Sequence, residues 1–365
     1  MGEVHDIAAG FAHSVALAEN PALQYPVNPA QDMLLICNTN LESVFVKDYY
    51  LAHRPLVSQA NVLTIGYAPQ ETILPADFET AMRTPVLNWL AANPTKKPKY
   101  WVLFLGVPSR IHADTNEYGY YGGTHPSVSV TLSALPGARN PFITHINMGN
   151  TNHIGDTNAC RAYIDKLEFF GTNYSPRKIV ISASAGGYGN TNYYFDGVGG
   201  FTFAAYEAGA GVVAAGISTN NVYVRAVEPH INRGTNVAAY YSSGIHGWQS
   251  FQSTVNGDVV FEGNSQWYVM LTYESFNGYR FAEIPPLFQG NFIKWFSSSA
   301  FGGTNFSNTP VGAVTHTDEP GPGDNINDRQ IFYGYWASGK TFCLAAWNSR
   351  RTPFFQAVGD PLVKK

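Results

Sequence analysis

Short apolar runs alternate with stretches of helical length through most of this chain, and that alternation limits the fold more than any other feature. Runs such as MLLIC and YWVLFL are apolar at nearly every position, which is typical of strands buried on both faces of a sheet. Parallel strands need a long crossover between them, and the intervening stretches are long enough to form helices. The sequence therefore predicts an α/β fold with a largely parallel, doubly wound sheet and helices on both faces, a three-layer sandwich.

The same alternation predicts individual strands and helices along residues 33–365. The predicted strands are 33–38, 61–67, 99–106, 141–147, 177–182, 236–244, 265–272, 310–316 and 353–361. The predicted helices are 41–54, 71–93, 156–171, 201–213, 290–302 and 330–349. Residues 113–140 are expected to form a long, partly β surface excursion, and residues 188–200 a loop. The composition shifts to Gly, Tyr, Thr and Ser over residues 113–140, but no internal domain break stands out, so we predict one domain over residues 33–365.

The N-terminal residues differ from the rest. The segment IAAGFAHSVAL within residues 1–20 resembles one blade segment of the regulator-of-chromosome-condensation type repeat, and the resemblance makes His13 a structural residue. A single repeat cannot bury its own face. We therefore expect residues 1–20 to be a repeat fragment or N-terminal extension, joined through a linker at residues 21–32.

Composition excludes several classes of function. The net charge is -4 and no basic run is longer than two residues, which argues against nucleic acid or an anionic membrane as the main partner. No apolar run reaches 18 residues, so no membrane span is expected. The three cysteines form no CxxC pair and are expected to be buried thiols. Only 13% of residues are charged. We expect a secreted or cell-surface bacterial protein whose signal segment is absent from this sequence.

Two strand ends carry reactive side chains. The run NVAAYYSSGIHG stops at His246, and WYVMLTYESFNG stops at Ser275. In an open α/β sheet, functional groups gather where strands end, because the chain leaves the sheet there through loops. His246 and Ser275 are therefore the first candidates for a catalytic pair.

The order of these motifs resembles the caspase-like fold of the gingipain family of cysteine peptidases. It resembles more closely a group of uncharacterised bacterial proteins with an LLICNTN strand near the start, an FLGVPSRI strand and a C-terminal GDPL. The resemblance places His246 at the catalytic histidine and Ser275 at the nucleophilic cysteine. In a hydrolase built on this pair, the Gly247 N–H is the expected oxyanion donor. A serine hydroxyl becomes a nucleophile only when a base contacts it directly, whereas a cysteine thiol can ionise near neutral pH with less help.

Ser275 thus stands where the family has a cysteine, and two functions are compatible with this replacement. One is a non-catalytic binding or assembly module that contacts a protein or glycan through Tyr-, Asn- and Gly-rich loops, with self-association left open. The loop segments in question are residues 118–121, 190–194 and 240–241. The other is a serine-type hydrolase, a peptidase or esterase, that uses His246 and Ser275. Neither needs a cofactor.

Two further motifs carry weaker signals. Ser184 in SASAG follows an apolar run as a nucleophile elbow would, although the residues after it do not read as a helix. The segment THTDEPGPGDNIND brings together oxygen and imidazole ligands that could hold a divalent cation, or that form a solvated acidic loop. The candidate metal ligands are Asp318, Glu319 and Asp324, with His316 and Asp328 beside them.

Overall fold

The computed structural model describes residues 4–9, 14–18, 29–55, 57–113, 125–149, 154–170, 191–197, 202–225, 227, 230–244, 259–280, 290–320 and 326–365. Sixteen strands are assigned in these ranges. They are β1 (Val4–Ala9), β2 (Ser14–Ala18), β3 (Met33–Asn38), β4 (Val62–Ile65), β5 (Thr72–Ile73), β6 (Tyr100–Phe104), β7 (Arg110–Ile111), β8 (Phe142–Ile146), β9 (Asn192–Asp196), β10 (Val222–Arg225), β11 (Arg233–Thr235), β12 (Val237–Ser242), β13 (Val260–Glu262), β14 (Val269–Thr272), β15 (Gly312–His316) and β16 (Phe355–Gly359).

Ten of these strands form one sheet in the order β10-β9-β12-β14-β15-β16-β8-β6-β3-β4. The pairs from β10 to β15 are parallel, as are the pairs from β8 to β4. Strand β16 joins the two groups, antiparallel to β15 along five residue pairs and bonded to β8 through Val358 and His145. The prediction of a large, mostly parallel α/β sheet is confirmed.

Helices flank the sheet on both faces. They are α1 (Pro29–Asp32), α2 (Leu41–Ala52), α3 (Pro75–Phe78), α4 (Thr84–Ala92), α5 (Val128–Ser133), α6 (Thr157–Phe170), α7 (Thr202–Ala214), α8 (Phe292–Trp295), α9 (Arg329–Ala337) and α10 (Phe342–Asn348). A π-helical turn, Glu79–Arg83, makes α3 and α4 continuous. None of the helices within the described ranges is long and apolar enough to cross a membrane.

Side-chain alternation along β3 builds two cores. Leu34 and Ile36 belong to a cluster with residues of α3, α4 and α5, whereas Leu35 and Cys37 belong to a cluster with residues of α2 and α6. Successive strand residues point to opposite faces, so an unbroken apolar run is what a strand covered on both sides requires. The three-layer arrangement thus follows from the composition of the strands.

Four local predictions were wrong. Residues 330–349 form two helices because Gly339, at φ +78, ends α9 in a turn. Residues 290–302 contain only α8 and a single 3-10 turn, Ala300–Gly302. The expected surface excursion includes α5, which is largely buried, and the expected loop 188–200 contains β9, an internal strand.

Two of the tyrosine segments expected to meet a partner belong largely to the core. Tyr240 and Tyr241 are fully buried on β12, and Tyr193 and Tyr194 are buried on β9. Aromatic side chains on internal strands fill the space between sheet and helices. The 118–121 segment lies outside the described residues.

The N-terminal segment forms an antiparallel hairpin of β1 and β2 that contacts α7. The expected relationship to a repeat blade stays a prediction. The three cysteines are free and buried, as their apolar surroundings indicate.

Candidate functional site

Ser275 lies in a turn that follows β14. Asn277 fixes this turn, because its Nδ2 donates to Thr272 Oγ1 at 2.9 Å and its Oδ1 accepts from the N–H of His316 at 2.7 Å. The N–H of Gly278 also donates to the His316 carbonyl at 2.9 Å. The turn is therefore tied to both its own strand and the end of the neighbouring strand β15.

Phe276, directly after Ser275, has a left-handed backbone conformation with φ +54. A bulky residue adopts this conformation at a cost of roughly 1–3 kcal/mol, and it persists only where surrounding contacts over-determine it. The bonds of Asn277 and Gly278 provide those contacts. Ser275 is thus held in a fixed position, and it is 8% exposed.

Glu274 connects this turn to the end of β12. Its carboxylate packs against Gly244, where an added Cβ would lie 2.1 Å from Glu274 Cδ, and Oε1 accepts from the Gly290 N–H at 2.6 Å. Glu274 was missed by the sequence analysis, although a carboxylate at a strand end beside Ser275 was a visible signal. His246 and Gly247 lie outside the described residues, so their positions relative to Ser275 stay predictions.

A buried ion pair lies at the C-terminal end of the turn, between Arg280 and Glu71. Arg280 Nη1 donates to Glu71 Oε1 at 3.0 Å, Arg280 Nε donates to the Gly149 carbonyl at 3.3 Å, and Nη2 donates to the carbonyl of Asn147. Burial raises the pKa of Glu71, while Arg280 acts in the opposite direction. Burial also lowers the pKa of Arg280. The pair joins segments that follow β4, β8 and β14.

A second buried pair involves one of the candidate metal ligands. Asp318 Oδ2 accepts from Arg110 Nη2 at 3.0 Å and from Nε at 3.3 Å, and the Arg110 guanidinium lies 4.7 Å from the ring centre of Tyr279. The expected solvated loop is wrong for Asp318, which is buried. Glu319 is half-buried, and Asp324 lies outside the described residues. Within those residues, no group of three or more His, Cys, Asp or Glu could hold a metal ion.

Two buried imidazoles near the turn are neutral. Burial lowers the pKa of His316 to about 4, and its Nδ1 lies 3.3 Å from the Glu274 carbonyl. Burial lowers the pKa of His145 to about 3, and its Nε2 lies 2.6 Å from Ser129 Oγ. Both rings therefore serve as neutral hydrogen-bonding groups at physiological pH.

The structure places Ser275, His316 and Asp318 at the ends of the adjacent strands β14 and β15. The alternative nucleophile Ser184 lies outside the described residues. Sequence reasoning did not single out Glu71, Arg110 or Arg280, because they are scattered over more than 200 positions and only the fold brings them together. Compared with known proteins, the chain matches no family model, no curated protein and no solved structure.

Proposed function

We propose that this chain is a non-catalytic binding or assembly protein built on a caspase-like α/β outline. The observation that carries the proposal is the burial of the whole turn, since residues 274–280 are all buried. A peptidase nucleophile must come within about 3 Å of a scissile carbonyl, with room for the chain on either side. A turn buried over seven consecutive residues does not present its hydroxyl to a polypeptide in this way.

The charges around the turn support the same proposal. Arg280 and Arg110 are paired with Glu71 and Asp318 through buried hydrogen bonds. Buried pairs of this kind hold segments in place, and removing one partner is costly. The residues around Ser275 are thus those expected where buried ion pairs hold distant segments together. A position outside the cell rests on the low content of charged residues, the small number of cysteines and the resemblance of residues 1–20 to a repeat.

A serine-type hydrolase is the second candidate. The strained Phe276 favours it, because strained residues held by surrounding bonds cluster at active sites. In this alternative, His246 acts as the base, Ser275 attacks an acyl carbon, and the Gly247 N–H stabilises the oxyanion.

Labelling with a fluorophosphonate separates the two candidates. The wild-type protein is incubated with the probe, digested and mapped, with the Ser275→Ala variant as the control. If the chain is a non-catalytic binding protein, no labelled peptide should contain Ser275. Stoichiometric label at Ser275 that is lost in the His246→Ala variant would establish the hydrolase instead.

A further inference from the structure

A pocket of about 540 Å³ lies at the β10 side of the sheet, three positions away from β14 in the strand order. Its lining combines strand residues with the segment that follows β10, namely Tyr194, Tyr223, Arg225, His230, Asn232 and Arg233. Its volume is within the range of roughly 300–1,000 Å³ found for small-ligand sites. The Ser275 turn contributes no residue to the lining, so this pocket is a separate site.

Two tyrosines form a flat platform in the pocket. The rings of Tyr194 and Tyr223 stack with centres 4.8 Å apart and planes 9° apart. Tyr194 is buried, and its hydroxyl accepts from the Thr235 N–H at 3.0 Å, so it is a fixed base for its neighbour. Tyr223 is 45% exposed. A rigid aromatic side chain of this kind offers contact area at low entropic cost.

The polar side of the pocket favours an anion. The nearby carboxylate of Asp196 is fully buried, and it accepts from His230 Nδ1 at 2.6 Å and from the Ile231 N–H at 3.2 Å. His230 thus lines the pocket while its Nδ1 bonds to this carboxylate. Among the described residues that line the pocket, Arg225 and Arg233 are cationic. Arg233 also pairs with Glu262, but both side chains are largely exposed, and such a pair is worth little.

We propose that this pocket binds a sugar ring that carries a carboxylate, such as a uronic acid residue of an acidic polysaccharide. The apolar C–H face of the ring packs on Tyr223. The carboxylate accepts hydrogen bonds from Arg225, whose planar guanidinium suits the two oxygens of a carboxylate. Arg233 breaks its exposed pair with Glu262 and binds the ligand carboxylate instead. The inference stands independently of the function assigned to the Ser275 turn.

The test uses three probes of matched chemistry, titrated by calorimetry or ligand-observed NMR. D-Glucuronate carries both the ring and the charge, D-glucose the ring alone, and inorganic phosphate the charge alone. We expect glucuronate to bind about tenfold or more tightly than either of the others, since two separate contacts contribute. Both Tyr223→Ala and Arg225→Gln should weaken glucuronate binding by about tenfold.

Matched variants elsewhere provide the controls. Tyr206→Ala removes another exposed tyrosine, from α7, and Arg83→Gln removes a partly exposed arginine from the π-helical turn. Both should bind glucuronate as the wild type does, and all four variants should melt normally. Equal binding of glucose would overturn the carboxylate contact, and equal binding of phosphate would overturn the sugar contact. Failure of glucuronate to bind, or binding unaffected by Tyr223→Ala and Arg225→Gln, would overturn the site.

Discussion

Arg280 and Glu71 form a buried ion pair across 209 positions of sequence, with Nη1 and Oε1 3.0 Å apart. The main-chain N–H of Arg280 also donates to both carboxylate oxygens, at 3.1 and 3.0 Å. Glu71 follows β4, the last strand on one side of the sheet, whereas Arg280 follows β14 in the other parallel group. The pair therefore ties the two groups of strands together next to Ser275.

Removing one partner of this pair should destabilise the fold strongly. Arg280→Met leaves the Glu71 carboxylate buried without its cation, and we expect a loss of about 3–5 kcal/mol in the free energy of unfolding. The double variant Glu71→Leu/Arg280→Met should lose less, because no unpaired charge remains. Urea unfolding measures both. The exposed pair Arg83–Glu79 is the control, and Arg83→Met should cost less than about 1 kcal/mol.

The contact between Gly244 and Glu274 predicts a second effect. Gly244→Ala forces a left-handed alanine, at φ +66, into the Glu274 carboxylate, and we expect a loss of more than about 2 kcal/mol. Gly216 also has a left-handed conformation, φ +84, but open space around its Cβ position. Gly216→Ala should therefore cost only about 1 kcal/mol. Equal losses in the two variants would show that Glu274 does not pack against Gly244.

Lys166 predicts a dependence of stability on pH. Its Nζ donates to the Ser307 carbonyl and to both the carbonyl and Oγ1 of Thr309, and burial lowers its pKa from 10.5 to about 7. Above pH 7 the unfolded chain therefore binds more protons than the folded one, so stability should rise with pH. Between pH 7 and 8.5 we expect wild type to gain about 1–2 kcal/mol relative to Lys166→Met. A constant difference across this window would show that buried Lys166 remains charged.

The sequence was most informative where pattern and burial agree. The strands MLLICN and YWVLF are buried on both faces, and their apolar runs predict that position directly. The strand NYYFD was missed because asparagine and glycine surround it, although β9 is internal and its tyrosines pack in the core. At Gly339, a left-handed glycine ends the first helix, so the apolar stretch that predicted one helix forms two.

The site was harder to predict than the fold. Ser275 became a candidate because it follows a strand, and that rule depends only on local sequence. Arg110, Arg280 and Glu71 carry no local signal, since each becomes part of the site only through contacts between distant segments. The burial of Ser275 likewise depends on what packs over the turn, which a strand-end motif does not reveal.

The most direct test of the non-catalytic proposal is the reactivity of a thiol placed at the nucleophile position. In the Ser275→Cys variant, iodoacetamide labelling is followed by mass spectrometry at each cysteine. Cys37, Cys160 and Cys343 are internal controls, because burial raises the pKa of all three and brings those of Cys160 and Cys343 to about 12. A buried, non-catalytic turn predicts that the Ser275→Cys thiol reacts no faster than these controls in the folded protein. Labelling at least a hundredfold faster than Cys160, abolished by His246→Ala, would contradict the proposal and show that the turn is built for acyl transfer.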